Sequence, residues 1–372
     1  MLNSFQCVDE NYFKCSSISS CFGMSKRGTI FLIIGIIGGF LNFYVIFKCL
    51  FKIQNQFASR NHPHYEYNLE YNETISKKLF KEVRILCMIL THPENHDSQA
   101  ITVKRTWGRR CNKIVFISTE EDKRIGSIAV DVEEGRTMLW DKTKKGLKYV
   151  YDHHFDEADW FMKADDDTYV LMENLRYMLY QYRSQTALYF GHRFTHGYMA
   201  GGAYVLSKKT LEKFITRQLT DPSACKQEGA GAEDWELGKC IATHSILVDE
   251  RDDQKQKRFF PVSLLQHVQE NKDLTYWYYT SQFYEVEQGS LNCCSALPIA
   301  FHYINCHEMY LVEYLTRKVH PFGIHSTIDL TLPRKLTFEE ILSASDINST
   351  AIQYQYRKVE HNFDKNEKFR RK

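Results

Sequence analysis

Three consecutive carboxylates, Asp165, Asp166 and Asp167, come after an apolar stretch at residues 158–164, Ala-Asp-Trp-Phe-Met-Lys-Ala. Like charges packed this closely repel one another, so a strand end gains nothing from them unless something positive binds. A hard divalent cation is the natural occupant, because carboxylate oxygens suit Mg²⁺ and Mn²⁺. In an extended segment alternate side chains share a face. Asp165 and Asp167 can therefore converge on one ion while Asp166 points elsewhere. A solvated acidic turn would carry the same residues. The next segment decides between them: Leu171, Leu175, Met178, Leu179 and Tyr182 recur at helical spacing. Strand, acidic turn, helix is how an α/β fold presents ligands at the carboxyl ends of its strands.

The elements that must hold this turn are legible upstream. Residues 83–90, Val-Arg-Ile-Leu-Cys-Met-Ile-Leu, form a nearly continuous apolar run of the kind that becomes a central parallel strand. Lys113–Ser118 reads as a second strand, with a helix expected around residues 100–107 between the two. Leu139, Thr143, Leu147 and Val150 give a helical face ahead of the Trp160 strand. Strands alternating with helices predict a parallel or mixed α/β sheet. After residue 185 the pattern loosens into Gly-rich loops, aromatic clusters and short strands. Helices are expected at 234–243 and at 310–319, and a mobile, poorly patterned tail at 336–372.

The chain has 372 residues, 43% of them hydrophobic, enough for a substantial core. A net charge of +2 gives no reason to expect nucleic acid as a partner. Residues 29–47 form a run of 19 residues without a charge. At about 1.5 Å per residue a helix of that length crosses a bilayer core of about 30 Å. It starts well inside the chain and lacks a small-residue cleavage site, so a retained anchor is expected rather than a removed signal peptide. The flanking charges orient it weakly. Of 11 cysteines, seven lie beyond the anchor, with no paired Cys-x-x-Cys spacing of a zinc site. Disulfides in an oxidising lumen account for them most simply. Two glycosylation sequons, at Asn72 and Asn348, fit the same side. The expected organisation is a cytoplasmic tail (1–27), a transmembrane segment (28–51), a polar stem (52–80) and a lumenal globule (81–335).

Several segments, in this order, carry a resemblance: Lys163-Ala164-Asp165-Asp166-Asp167-Thr168-Tyr169, Gly197-Tyr198-Met199-Ala200-Gly201-Gly202-Ala203, Glu233-Asp234, Cys293-Cys294 and Phe301-His302-Tyr303. Together, from about residue 84 to 323, they resemble the core 1 β1,3-galactosyltransferases, which extend O-linked GalNAc. The resemblance implies an α/β GT-A-type glycosyltransferase fold with a mixed, mainly parallel sheet behind one N-terminal transmembrane helix. It implies UDP-galactose as donor, Mn²⁺ as cofactor, inversion at the anomeric carbon, a homodimer, and a type II Golgi membrane protein acting on GalNAc-Ser/Thr glycoproteins.

It also implies roles. His302 joins Asp165 and Asp167 on the metal, although a buried core histidine fits the same sequence. Imidazole biases such a site toward Mn²⁺. Glu134, Gly135, Arg136 and Lys142 match the nucleotide-contacting segment; read alone they are a charged helix start. Met88 and Tyr303 are expected against the donor, Met88 being otherwise a plain core methionine. Asp234 is the expected base for the acceptor hydroxyl, while Glu233 reads as a helix-terminal acid that complements the macrodipole. Tyr198 and Trp277 are expected on the acceptor side, Trp277 as a stacking platform. The expected disulfides are Cys87–Cys111, Cys225–Cys240 and a vicinal Cys293–Cys294, with Cys306 left over. One departure stands out. The stretch from Gly197 to Ser207 is one glycine shorter than the family's, with Ala200 in place of serine, which puts acceptor preference at issue.

Two other readings compete. A non-catalytic chaperone paralogue lacks the Asp triplet that this chain keeps. A Fringe-like β1,3-glycosyltransferase of other specificity does not account for the vicinal cysteines and the Phe-His-Tyr segment.

Overall fold

A computed structural model describes residues 73–195, 197–242, 244–269, 277–284, 293–319 and 331–345. The expected anchor at 29–47 and the sequon at Asn348 lie outside them. Among the described residues no helix is long and apolar enough to cross a membrane.

In chain order the elements that matter are α1 (Glu73–Glu82), β1 (Ile85–Leu90), α2 (Ile101–Arg105), β2 (Lys113–Ser118), β3 (Ser127–Ala129), α3 (Leu139–His154), β4 (Trp160–Asp165), β5 (Tyr169–Val170), α4 (Met172–Tyr180), β6 (Leu188–Arg193), β7 (Met199–Ser207), α5 (Lys208–Lys213), α6 (Glu233–Ile241), β8 (Ile246–Leu247), β9 (Phe259–Phe260), α7 (Leu264–Val268), α8 (Trp277–Thr280), β10 (Ala300–Phe301), α9 (Cys306–Arg317) and α10 (Phe338–Ala344). Seven strands make one sheet in the order β3-β2-β1-β4-β7-β6-β8. Only β7 runs against the rest, pairing antiparallel with β4 and β6, so the sheet is mixed and mainly parallel as expected. A second sheet has the order β5-β10-β9, and its strand β5 follows β4 directly after the acidic turn.

Helices cover both faces of β1, and all its residues are buried. That is why the strand reads as an unbroken apolar run rather than an alternation. Cys87 and Ile89 pack with Trp160, Met162 and Ala164 on one face. Leu86, Met88 and Leu90 pack with Phe161 and with Trp140, Leu147 and Val150 of α3 on the other. Strand side chains alternate, so Lys163 and Asp165 share the second face with Phe161. A slip of one residue would turn both of them into the wrong layer.

Two boundaries differ from expectation. The stem ends earlier than residue 80: α1 begins at Glu73, and Leu79 and Val83 are buried in the core with Ile75 packed against it. Apolar residues at i, i+4 and i+8 made a helical face inside a polar stretch. The expected tail likewise begins with structure. Thr337 and Glu340 form a capping box on α10, and Phe338 and Ile341 are buried. A cap of this kind contributes about 1 kcal/mol; two buried side chains were enough to fix a short helix amid charges.

The disulfides Cys87–Cys111, Cys225–Cys240 and Cys293–Cys294 all form, and Cys306 is a free thiol. The first ties the middle of β1 to the turn before β2, and the second ties α6 to the loop ahead of it.

Candidate active site

The pairing of β10 with β5 builds the site. Phe301 lies opposite Tyr169, and Ile304 N–H donates to the Asp167 carbonyl at 2.8 Å. His302 is thereby carried to the acidic turn at the end of β4. Its Nε2 lies 3.2 Å from Asp167 Oδ1 and 3.7 Å from Asp165 Oδ2. One ligand atom from each of Asp165, Asp167 and His302 falls within 4.8 Å of the others. His302 Nδ1 lies 3.1 Å from the Pro261 carbonyl. A carbonyl can only accept, so Nδ1 carries a proton; Nε2 faces the carboxylates, donating to Asp167 while the ring is protonated and offering its lone pair to a metal once that proton leaves. Burial pulls the imidazole pKa down, but the Asp167 hydrogen bond and the charges of Asp167 and Asp165 hold it above its ordinary value. The two carboxylates thus draw positive charge to this point, and two carboxylates with one imidazole are a donor set that fits Mn²⁺.

The backbone around His302 is specialised. Tyr303 adopts φ +54° and its ring stacks on His302 at 4.0 Å. Left-handed backbone at a bulky residue is costly and tends to mark functional sites. Asp166 turns away from the trio, accepting hydrogen bonds from Thr91 Oγ1 at 2.6 Å and Asn95 Nδ2 at 3.1 Å. Burial, against those two bonds, pushes its carboxyl up to about 7. It holds the loop after β1 against the acidic turn.

Asp165, Asp167, His302 and Tyr303 line a cavity of about 790 Å³, together with Glu134, Gly135, Arg136 and Lys142. Gly135 sits at φ +132°, a conformation that favours glycine. Arg136 is exposed and makes no ion pair among the described residues. Lys142 differs: it is buried, 2.6 Å from Glu134 Oε1, and donates to the Thr91 carbonyl at 3.0 Å. Its charge is already spent on Glu134. Met88 does not reach the cavity. It is buried in the core beside Gly146 of α3, and Leu90, two residues on, is the β1 side chain at the cavity wall. Met88 thus packs in the core one strand repeat before the residue that lines the cavity.

At the N-terminus of α6, Glu233 plays a role different from the one expected. Glu233 is buried at 4% exposure, ion-paired to Lys163 Nζ and accepting from the Tyr204 hydroxyl at 3.0 Å. Lys163 is buried at 2% exposure and also lies 2.7 Å from Asp165 Oδ1. A helix-terminal acid serving the macrodipole stands in solvent; Glu233 instead closes a buried bridge. Burial opposes the Lys163 charge, but Asp165 and Glu233 more than reverse this and raise its pKa. Burial pushes the Glu233 carboxyl up, against the pull of Lys163. Sequence reading missed this pair. The signal was a lysine inside the otherwise apolar strand Trp160-Phe161-Met162-Lys163-Ala164.

Asp234 is half-buried, and its Oδ1 accepts from Trp235 N–H at 2.8 Å. Tyr198 packs edge-on against Trp235 at 5.1 Å and stacks on Phe194 at 5.0 Å. Burial, then the Asp234 charge, pushes the Tyr198 hydroxyl up to about 12. Asp234 and Tyr198 thus neighbour one another, and neither is among the residues that line the cavity. Trp277 opens the single helical turn α8, and its side chain lies outside the described part of the chain. Tyr278 is buried with Phe194 and Val262.

The Fringe-like family pattern matches residues 81–243. The chain is 37% identical over 265 residues to the glycoprotein-N-acetylgalactosamine 3-beta-galactosyltransferase 1 of Xenopus laevis, covering 69% of this chain and 72% of that protein. It is 25% identical over 177 residues to a mouse beta-1,3-glucosyltransferase, covering 45% of this chain and 36% of the relative. Among solved structures, a glycosyltransferase involved in glycosylation of the major capsid of PBCV-1 aligns at 16% identity and a TM-score of 0.26, over 35% of this chain and 62% of that one, a likeness too slight to bear on the assignment. The 37% identity to the frog protein, over 69% of this chain and 72% of that one, decides the kinship: the chain belongs to the glycoprotein-N-acetylgalactosamine 3-β-galactosyltransferase family of glycosyltransferases.

Proposed function

We propose that this enzyme transfers galactose from UDP-galactose to the 3-hydroxyl of O-linked GalNAc, with inversion, on a GT-A-type fold, producing Galβ1-3GalNAc on serine and threonine. The reading rests on one observation above all: Asp165, Asp167 and His302 converge at a cavity large enough for a nucleotide sugar. Those three side chains would hold Mn²⁺, which offsets charge on the departing diphosphate. Arg136, uncommitted at the rim, supplies a further positive charge toward phosphate, and Gly135 permits close backbone approach. Asp234 accepts the proton of the attacking hydroxyl as that oxygen bonds to the anomeric carbon and the sugar–phosphate bond breaks. Tyr198 and Trp277 belong to the acceptor side. The acceptor and linkage are those in the frog relative's name, and the kept Asp triplet supports catalysis over a chaperone role.

The uncharged run at 29–47 and the cysteine-rich body after it support a single-span type II protein of the Golgi, and the family resemblance is the ground for a homodimer. A purified lumenal portion, a GalNAc-bearing peptide and a panel of UDP-sugars, each with and without Mn²⁺, test the reading. Transfer from UDP-galactose alone, in β1,3 linkage and only with metal, is expected. Preference for another donor would make this a β1,3-glycosyltransferase of different specificity.

A further inference from the structure

A fully buried lysine between two carboxylates is an unusual thing to build into the middle of a strand. Taking such charges out of water is costly, and hydrophobic residues of similar volume would fill the space at least as well. Lys163 is nevertheless placed where its ammonium meets Asp165 on its own strand and Glu233 on α6. The register explains the reach. Lys163 and Asp165 are two residues apart on β4 and share a face, and Tyr204 stands directly opposite Lys163 on β7. Tyr204 in turn donates to the second oxygen of Glu233 at 3.0 Å. Both Glu233 oxygens are thus engaged from the sheet, and the first turn of α6 is pinned to it.

At the other end the same ammonium selects an oxygen. Lys163 lies 2.7 Å from Asp165 Oδ1, while Oδ2 is the atom turned toward His302, at 3.7 Å. We infer that the Lys163–Glu233 pair is a positioning bridge: it fixes Asp165 as a one-oxygen metal ligand and seats the helix turn that bears Asp234. The inference rests on the metal site proposed for Asp165, Asp167 and His302. Neither residue touches substrate; each acts through its neighbour. Outer partners that orient a ligating carboxylate are worth about 10–100-fold in metal affinity.

Mn²⁺ binding to the protein without donor, measured by loss of the free-ion electron paramagnetic resonance signal, reads the bridge without reference to turnover. Lys163→Met is expected to weaken Mn²⁺ binding about 10-fold or more, and Glu233→Gln to weaken it in the same direction although it contacts no metal ligand. Their effects should be non-additive, as expected for residues in one network. The double variant Lys163→Met/Glu233→Met, which replaces the ion pair by apolar packing, should recover thermal stability but not Mn²⁺ affinity. If stability and affinity return together, the pair is only a packing element and the inference falls. If Lys163→Met does not fold, Glu233→Gln and the double variant decide in the same way. Wild-type affinity in both of them overturns the bridge alone, whereas no Mn²⁺ binding by the wild-type protein overturns the metal reading and the bridge with it.

Discussion

Gly202 runs so close to His302 that a Cβ built on it would lie 2.6 Å from the ring's Cγ. The Gly202 carbonyl meanwhile accepts from Thr168 Oγ1 at 2.8 Å, fastening β7 to the acidic turn. The position of β7 that passes the ring therefore has to lack a side chain. Gly202→Ala would have to push the imidazole aside or shift the strand. A displacement near 1 Å at such a site can cost about 10²-fold in rate. Transfer should fall by roughly that factor, with Mn²⁺ affinity falling too and the melting temperature changing little. Wild-type Mn²⁺ affinity in this variant would show that the contact does not control the ring.

Asp167→Ala removes one of the two carboxylates that face His302. Turnover should fall to near background while circular dichroism stays native, because Asp167 is a turn residue outside the core. Chelation with EDTA should do the same to the wild-type protein, and added Mn²⁺ should restore only the wild type. Full activity in EDTA would exclude a metal at this site.

Arg136 and Lys142 should separate in their effects. Arg136 is exposed at the cavity and makes no ion pair among the described residues, so Arg136→Ala should raise the KM for UDP-galactose about 10-fold through a lost charge-assisted bond, with stability unchanged. Lys142 is buried against Glu134 and Thr91. Lys142→Ala should lower stability by about 1–3 kcal/mol, leaving partners unsatisfied. Donor titration and thermal melts of both variants check this. Equal KM effects with no loss of stability at Lys142 would mean that it faces the donor after all.

The anchor is tested by position. Protease added to intact microsomes should spare everything after residue 51, and should digest the body only once detergent is present. Cleavage of the body from the cytoplasmic side without detergent would reverse the proposed orientation.

How much of this was legible beforehand differs by element. β1, β2, β4 and α3 were plain, because strands buried on both faces leave unbroken apolar runs and a helix buried on one face leaves a 3.6-residue period. The convergence of Asp165 and Asp167 came from strand alternation alone. His302 could not be chosen from spacing among 15 histidines, since its approach depends on β10 pairing across 130 residues with β5; resemblance supplied it. The ends of the globule were misjudged at α1 and α10, where two or three apolar residues sit amid charges. Glu233 was misread because its partner Lys163 lies 70 residues away in sequence, a separation that no local pattern reports.

Asp234 carries the sharpest test of mechanism. It stands half-buried beside Tyr198 at the start of α6, next to a glutamate that the fold has committed elsewhere. Asp234→Asn keeps size and hydrogen-bonding capacity but cannot take up a proton. UDP-galactose binding should persist while kcat drops by about 10²–10⁴-fold, the usual worth of general base catalysis. Glu233→Gln is no longer a silent control, since it disturbs a buried ion pair; breaking such a pair typically costs about 3–5 kcal/mol. The two variants should therefore separate by readout: Asp234→Asn melts like the wild type and is slow, whereas Glu233→Gln melts early and binds Mn²⁺ more weakly. Near-wild-type transfer by Asp234→Asn, with donor binding intact, would place the base on another residue.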